Sequence, residues 1–160
     1  MPSGAARLRS VPRATGSGVP QYFVLDDEPV ALVPPRDFQA TITRYEIRYK
    51  FERPNLYLWC KLVALDDPSD AQYHGLLLPF ICPMKNGRFG SRSKFARLWT
   101  RVAGRRARKG EKLSPTLFLG KLYTVRTRLV TMDYQQRPHD RLTQYSVIDE
   151  IVSVDVGGPA

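Results

Sequence analysis

Histidine and cysteine are nearly absent from this chain: its 160 residues hold two of each, His74, His139, Cys60 and Cys82. No His/Cys/carboxylate grouping has metal-ligand spacing, so no metal site is expected. Both cysteines sit inside apolar runs, where a buried, reduced thiol is the expected state. A glycine-rich phosphate loop ending in Lys-Ser/Thr is missing, as is a Gly-x-Ser-x-Gly elbow. Asp149 and Glu150 are adjacent, so on a strand they point to opposite faces and cannot share a proton. No catalytic residue and no cofactor follow from these patterns, and the chain is not read as an enzyme. No apolar run approaches the roughly 18–20 residues a membrane helix needs. The N-terminus carries arginines without an apolar h-region, so no secretory signal is expected and a cytoplasmic location is.

Acidic residues are scarce in one stretch only, and that stretch carries the net charge. The chain holds 25 Lys/Arg against 15 Asp/Glu, a formal +10. Residues 1–35, 36–84 and 113–160 are each neutral: three, six and five cations meet equal numbers of acids. Residues 85–112 hold eleven cations, with Glu111 as the sole acid, and so account for the whole excess. A cluster of this kind implies a polyanionic partner.

Residues 1–35 mix Gly, Ser, Pro, Ala and Arg with little apolar period and read as a disordered leader. Within it, Tyr22 to Leu25 is a short apolar island ahead of Asp26-Asp27-Glu28. A folded domain is expected over 36–155, and residues 156–160 read as a tail. Tyr45, Ile47, Tyr49 and Phe51 alternate with Arg44, Glu46, Arg48 and Lys50, the period of a half-buried strand over Thr41–Phe51. Arg53-Pro54-Asn55 reads as its turn. Leu56, Leu58, Cys60 and Leu62 form one face of a second strand, with Tyr57, Trp59, Lys61 and Val63 on the other. An acidic turn, Asp66 to Asp70, ends it, and Tyr73–Cys82 reads as a third strand.

The period then changes. Phe95, Leu98, Trp99 and Val102 fall at i, i+3, i+4 and i+7, one face of a helix. Ser91 or Ser93 suits its start and Gly104 its end. Trp99 is expected in the core. Lys121–Met132 and Gln144–Val154 complete the count of strands. Three strands, one helix and two strands match a mainly β, five-stranded OB-like Greek-key barrel with the helix between the third and fourth strands.

A nucleic-acid groove combines cations that neutralise phosphates with aromatic faces that stack on unpaired bases. The basic segment supplies the first through Arg92, Lys94, Arg97, Arg101, Arg105, Arg106, Arg108 and Lys109. Tyr57 and Trp59, with Lys61 beside them, supply the second if they point outward, and packing under the leader or helix is the competing reading. Arg126 and Arg128 either extend the groove or pair across strands with Glu46 or Glu150.

The run Ser91-Arg92-Ser93-Lys94-Phe95 through Trp99 and Gly104, then Arg108 to Pro115, then Phe118-Leu119-Gly120-Lys121, has a familiar texture. With a last strand such as Tyr145 to Ile148, it resembles the small OB-fold single-stranded-DNA-binding proteins of bacteriophages and integrative mobile elements. The resemblance spans roughly residues 40–155 and rests on order rather than a fingerprint motif. It implies sequence-independent binding of single-stranded DNA in replication, recombination or transfer of a mobile element. The common type often ends in an acidic tail, whereas this chain ends Val154-Asp155-Val156-Gly157-Gly158-Pro159-Ala160. Two other readings fit the composition: an RNA-binding module, and a basic adaptor that docks an acidic protein.

Overall fold

The computed structural model of the chain describes residues 8–10, 20–27, 29–64, 67–133 and 135–156. Of the segment read as a leader, residues 1–7, 11–19 and 28 lie outside it, as do residues 157–160 of the tail. Two short strands, β1 (Leu8–Ser10) and β2 (Phe23–Leu25), pair antiparallel. Then come β3 (Asp37–Lys50), β4 (Arg53–Val63), β5 (Leu77–Pro83), α1 (Lys94–Ala103), β6 (Leu122–Val130) and β7 (Tyr145–Val156). The protein is mainly β, and from β3 onward the order is three strands, one helix, two strands.

Five strands form one sheet that closes on itself in the order β3-β4-β5-β7-β6. Every neighbouring pair is antiparallel except β5 and β7, which run parallel and meet at Phe80 and Ile148. Alternate residues turn inward: Ala40 and Ile42 from β3, Leu56, Leu58, Cys60 and Leu62 from β4, Leu78, Phe80 and Cys82 from β5. Both thiols are free and buried, and burial pushes Cys82 up to about 12. The buried Tyr123 hydroxyl donates to the Phe118 carbonyl at 2.7 Å, so this large core ring leaves no polar atom unmatched.

Helix α1 lays Phe95, Leu98, Trp99 and Val102 into the same core. Each such side chain contributes about 1.5–3 kcal/mol on burial. Ser93 Oγ accepts from the Ala96 N–H at 3.1 Å, which selects Ser93 over Ser91 as the cap. Gly104 ends the helix at φ 74°, a left-handed conformation that costs glycine little.

Several boundaries differ from the sequence reading: β3 begins at Asp37 rather than Thr41, the ends of β6 and β7 shift by one or two residues, and three further differences matter more. Tyr73 belongs to a 3-10 turn, Pro68–Tyr73, started by Asp67 accepting from the Ser69 N–H at 2.9 Å, so β5 begins only at Leu77. The first hairpin turns at Phe51 and Glu52 rather than at Arg53-Pro54-Asn55, which lie in β4. Both turn residues take positive φ, 51° and 62°. Non-glycine residues adopt that shape at a cost of about 1–2 kcal/mol each. Lastly, the chain is joined to the sheet upstream of β3. The Ser146 N–H donates to the Ala31 carbonyl at 2.8 Å, and the Val33 N–H donates to Ser146 Oγ at 2.9 Å. Val33 itself is buried in the core.

Strand β3 is longer than its place in the ring requires. It pairs with β6 only over Asp37–Thr41, and its register with β4 slips between Ile42 and Arg44. Beyond that bulge β4 is the only strand paired with β3, while β4 stays paired with β5 over Asn55–Lys61, so the far half of the β3–β4 ribbon has β3 as a free edge.

Candidate nucleic-acid interface

On the ribbon's outer face the register sets Arg44 opposite Trp59 and Glu46 opposite Tyr57. Trp59 points away from the interior cluster, as the alternation requires, yet it is only 5% exposed. Two guanidiniums lie over its ring, Arg44 at 4.9 Å and Arg48 at 5.1 Å from the centroid. Its Nε1 donates to Glu46 Oε1 at 2.7 Å, and the same oxygen accepts from Arg48 Nε at 2.9 Å. The Tyr57 ring stands 6.1 Å from Trp59, and Arg48 covers it at 5.3 Å. Burial raises the Tyr57 phenol above its ordinary value, against the pull of Arg48. A small cavity of about 80 Å³ over these rings is walled by Asp27, Pro29 and Val30 together with Arg48, Tyr57, Trp59 and Tyr145. Trp59 is therefore covered by the arginines, and Asp27 and Pro29 to Ala31 lie over the same cavity, so the ring does not stand open on the surface as a stacking platform. Lys61, next along β4, is exposed.

This outer groove runs on toward the turn between β6 and β7. An adjoining cavity of about 240 Å³ shares Lys50, Ile81, Tyr145 and Val147 with the first and adds Arg128 and His139. Arg128 pairs with Asp149 at 3.1 Å, and Arg126 pairs with Asp37 at 2.9 Å and Glu150 at 3.5 Å. All of these side chains are about half exposed, so the pairs hold the cations weakly. The sequence reading omitted Arg44, Arg48, Lys50, Ile81 and Tyr145. The signal for Arg44 and Arg48 was present: once the hairpin turn is placed, alternation puts them on the face of Trp59.

The basic segment divides into cations that build the fold and cations that have no partner. Arg101 reaches across to β7, where Nη1 donates to the Ile151 carbonyl and, at 2.9 Å, to the Val152 carbonyl. Arg105 grips Glu111 at 2.6 Å and lies over the Trp99 ring at 5.0 Å. That guanidinium, with the Arg108 N–H, lowers the Glu111 carboxyl to about 2. Lys94 sits over Phe80 at 5.4 Å. The side chains of Arg92, Arg97, Arg106, Arg108 and Lys109 make no hydrogen bond or ion pair among the described residues. Lys94, Arg97 and Arg101 border a cleft of about 320 Å³ that Asp149 and Glu150 close on the β7 side. Asp149 thus touches both regions, lining the helix cleft while pairing with Arg128 of the outer groove.

Among the described residues no three His, Cys, Asp or Glu side chains gather as a metal site, and no helix is long and apolar enough to cross a membrane. No protein-family model, curated protein or solved structure matches the chain.

Proposed function

We propose that this protein binds single-stranded nucleic acid, with DNA as its ligand and with little regard to base sequence. The observation that carries the reading is the Lys85–Lys112 segment. It holds the whole net charge of the chain and folds as one helix with its flanking turns, and of its eleven cations only Arg101 and Arg105 use their side chains in a hydrogen bond or ion pair among the described residues. Clustered cations held on a fixed surface release condensed counterions when phosphates replace them.

The topology supports the same reading. Numbered within the ring, the strands run 1-2-3-5-4 and back to 1, with strands 3 and 5 parallel and a helix between strands 3 and 4. We take this as an OB-type Greek-key barrel, whose strands 2 and 3 and neighbouring loops form the usual oligonucleotide face. Here that face is the outer groove with Tyr57, Ile81, Tyr145, Lys50 and Arg128. Phosphates then track along Arg92, Lys94, Arg97, Arg106, Arg108 and Lys109, and bases stack at Tyr57 and Tyr145. Trp59 acts from beneath, as the ring on which Arg44 and Arg48 lie flat. Such a protein has no turnover; it covers or presents a strand during replication, recombination or transfer of a mobile element.

The test is a titration of the protein with single-stranded DNA, duplex DNA and RNA of equal length over a range of salt. Single-stranded DNA should bind tightest, with log K falling against log salt at a slope near −3.5 for about five phosphates at ~0.7 each. A flat response overturns the role of the basic segment. Preference for RNA makes the protein an RNA-binding module instead. No binding to any of the three, with a stoichiometric acidic protein recovered, favours the adaptor.

A further inference from the structure

The inner face of the β3–β4 hairpin carries a second row of large side chains on the free edge of β3. Tyr45 and Ile47 face the same way as Leu58 and Leu56 of the interior, and Tyr49 continues the row. The interior ends before it reaches them: Tyr45 is 39% exposed, Ile47 54% and Tyr49 73%. Contiguous large side chains left in water mark a binding surface more often than an accident of packing.

Tyr45 and Ile47 line an open groove of about 700 Å³, and Tyr49 lines the adjoining one. Arg88, Phe89, Gly110 and Glu111 of the basic segment line the same groove, with Leu113 just after it. Phe89 is fixed there by stacking on Phe95 at 4.3 Å with the planes 13° apart. Past Tyr49 the surface continues between Arg53 and Lys85. Arg53, Lys85 and Arg88 have no side-chain partner among the described residues. Two acids border the region, Glu52 and Glu111, and Glu111 is already held by Arg105 and the Arg108 N–H. Exposed rings beneath a cationic rim suit a polyanion that also carries flat apolar groups. A duplex keeps its base faces stacked inside, whereas every unpaired nucleotide carries a phosphate together with a flat base. An unpaired nucleic-acid strand offers both.

We infer that the inner face of the β3–β4 hairpin is a second base-stacking station, where Tyr45 and Tyr49 receive bases of a single strand whose phosphates lie along Lys85 and Arg88. Positions i and i+4 on an extended strand are about 13 Å apart, so the two rings are separate stations and not one clamp. The inference rests on the nucleic-acid reading above, and it places part of the strand on a face opposite to Trp59.

The experiment uses the full chain and an oligodeoxythymidine, comparing wild type, Tyr45→Ala, Tyr49→Ala and Tyr49→Phe. Each alanine variant should bind about 5-fold or more weakly, with an unchanged salt slope and an unchanged Tm. Tyr49→Phe keeps a ring and should keep the affinity. Irradiation of the complex with a bromodeoxyuridine-substituted strand should crosslink to Tyr45 or Tyr49. If the wild type binds the strand and both alanine variants bind equally well, the second station is wrong while the nucleic-acid reading stands. If the wild type does not bind, that reading itself fails. If the alanine variants instead convert a dimer to a monomer at constant affinity, the row is a contact between copies of the chain and the station is overturned.

Discussion

One short ribbon carries two rows of aromatic residues with opposite fates. Tyr57 and Trp59 lie on the outer face of β4, Tyr45 and Tyr49 on the inner face of β3, and within each row the residues occupy alternate positions. The outer row is covered: Trp59 lies under two guanidiniums and beside a strap that includes Asp27 and Pro29 to Ala31. The inner row shares a side with the core, yet it stands in water on a stretch of β3 that β6 no longer accompanies. Alternation tells which side chains share a face. Whether that face is dry depends on what the rest of the chain lays against it.

The largest effect that separates the rows is on stability. Trp59→Ala removes a buried ring and its bond to Glu46, and should cost about 3 kcal/mol or more. At ~2–4 °C per kcal/mol for a chain of this size, Tm should fall by roughly 6–12 °C. Tyr49→Ala should stay within about 0.5 kcal/mol of wild type in the same thermal melt. Equal losses in the two variants would erase the distinction between the rows.

The strap sharpens the comparison next. A chain that begins at residue 37 loses Val33 from the core and its hydrogen bonds with Ser146. Urea titration should register a loss of about 2–3 kcal/mol. A chain that begins at residue 30 keeps those contacts, so its stability should hold. It lacks Asp27 and Pro29 over the outer row, and its affinity for single-stranded DNA should rise by a few fold. An unchanged affinity would mean that the strap does not compete with the strand.

The smallest effect concerns the basic segment beside the inner row. Arg105 holds the Glu111 carboxyl down to about 2. A depressed folded value means that this clasp contributes stability above the unfolded value, about 4.3, and loses it as pH falls through the folded one. In an NMR titration the Glu111 carboxyl should show its midpoint near 2. In Arg105→Ala the midpoint should move up toward that of an ordinary glutamate. No movement would show that Arg105 is not what fixes the loop beside the groove.

Much of the architecture was legible in advance because the periods were clean. The i, i+3, i+4, i+7 spacing of Phe95, Leu98, Trp99 and Val102 identified the helix and its buried face, and Gly104 marked its end. The face Leu56, Leu58, Cys60 and Leu62 was read as a unit and is buried as one. The cysteines lie in that interior, as apolar surroundings implied. Boundaries were less legible, since Pro68 and Asp67 make a 3-10 turn from residues that also suit a plain loop. The turn at Phe51-Glu52 left no mark, because nothing in those two side chains asks for positive φ.

By itself the amino-acid sequence determined the identity of each face, the succession of elements and the placement of all net charge between Lys85 and Lys112. These are local properties, set by side-chain period and by counting. Only the tertiary structure decided which faces are wet. Past the bulge after Ile42, Tyr45, Ile47 and Tyr49 lie on a stretch of β3 that β6 does not accompany, while residues 29–33 return over β4 and β7. It also decided which cations have no partner, since Arg101 finds carbonyls fifty residues away and Arg97, one helical turn earlier, finds none. Burial and pairing need a partner surface, and the partners here come from parts of the chain far apart in sequence.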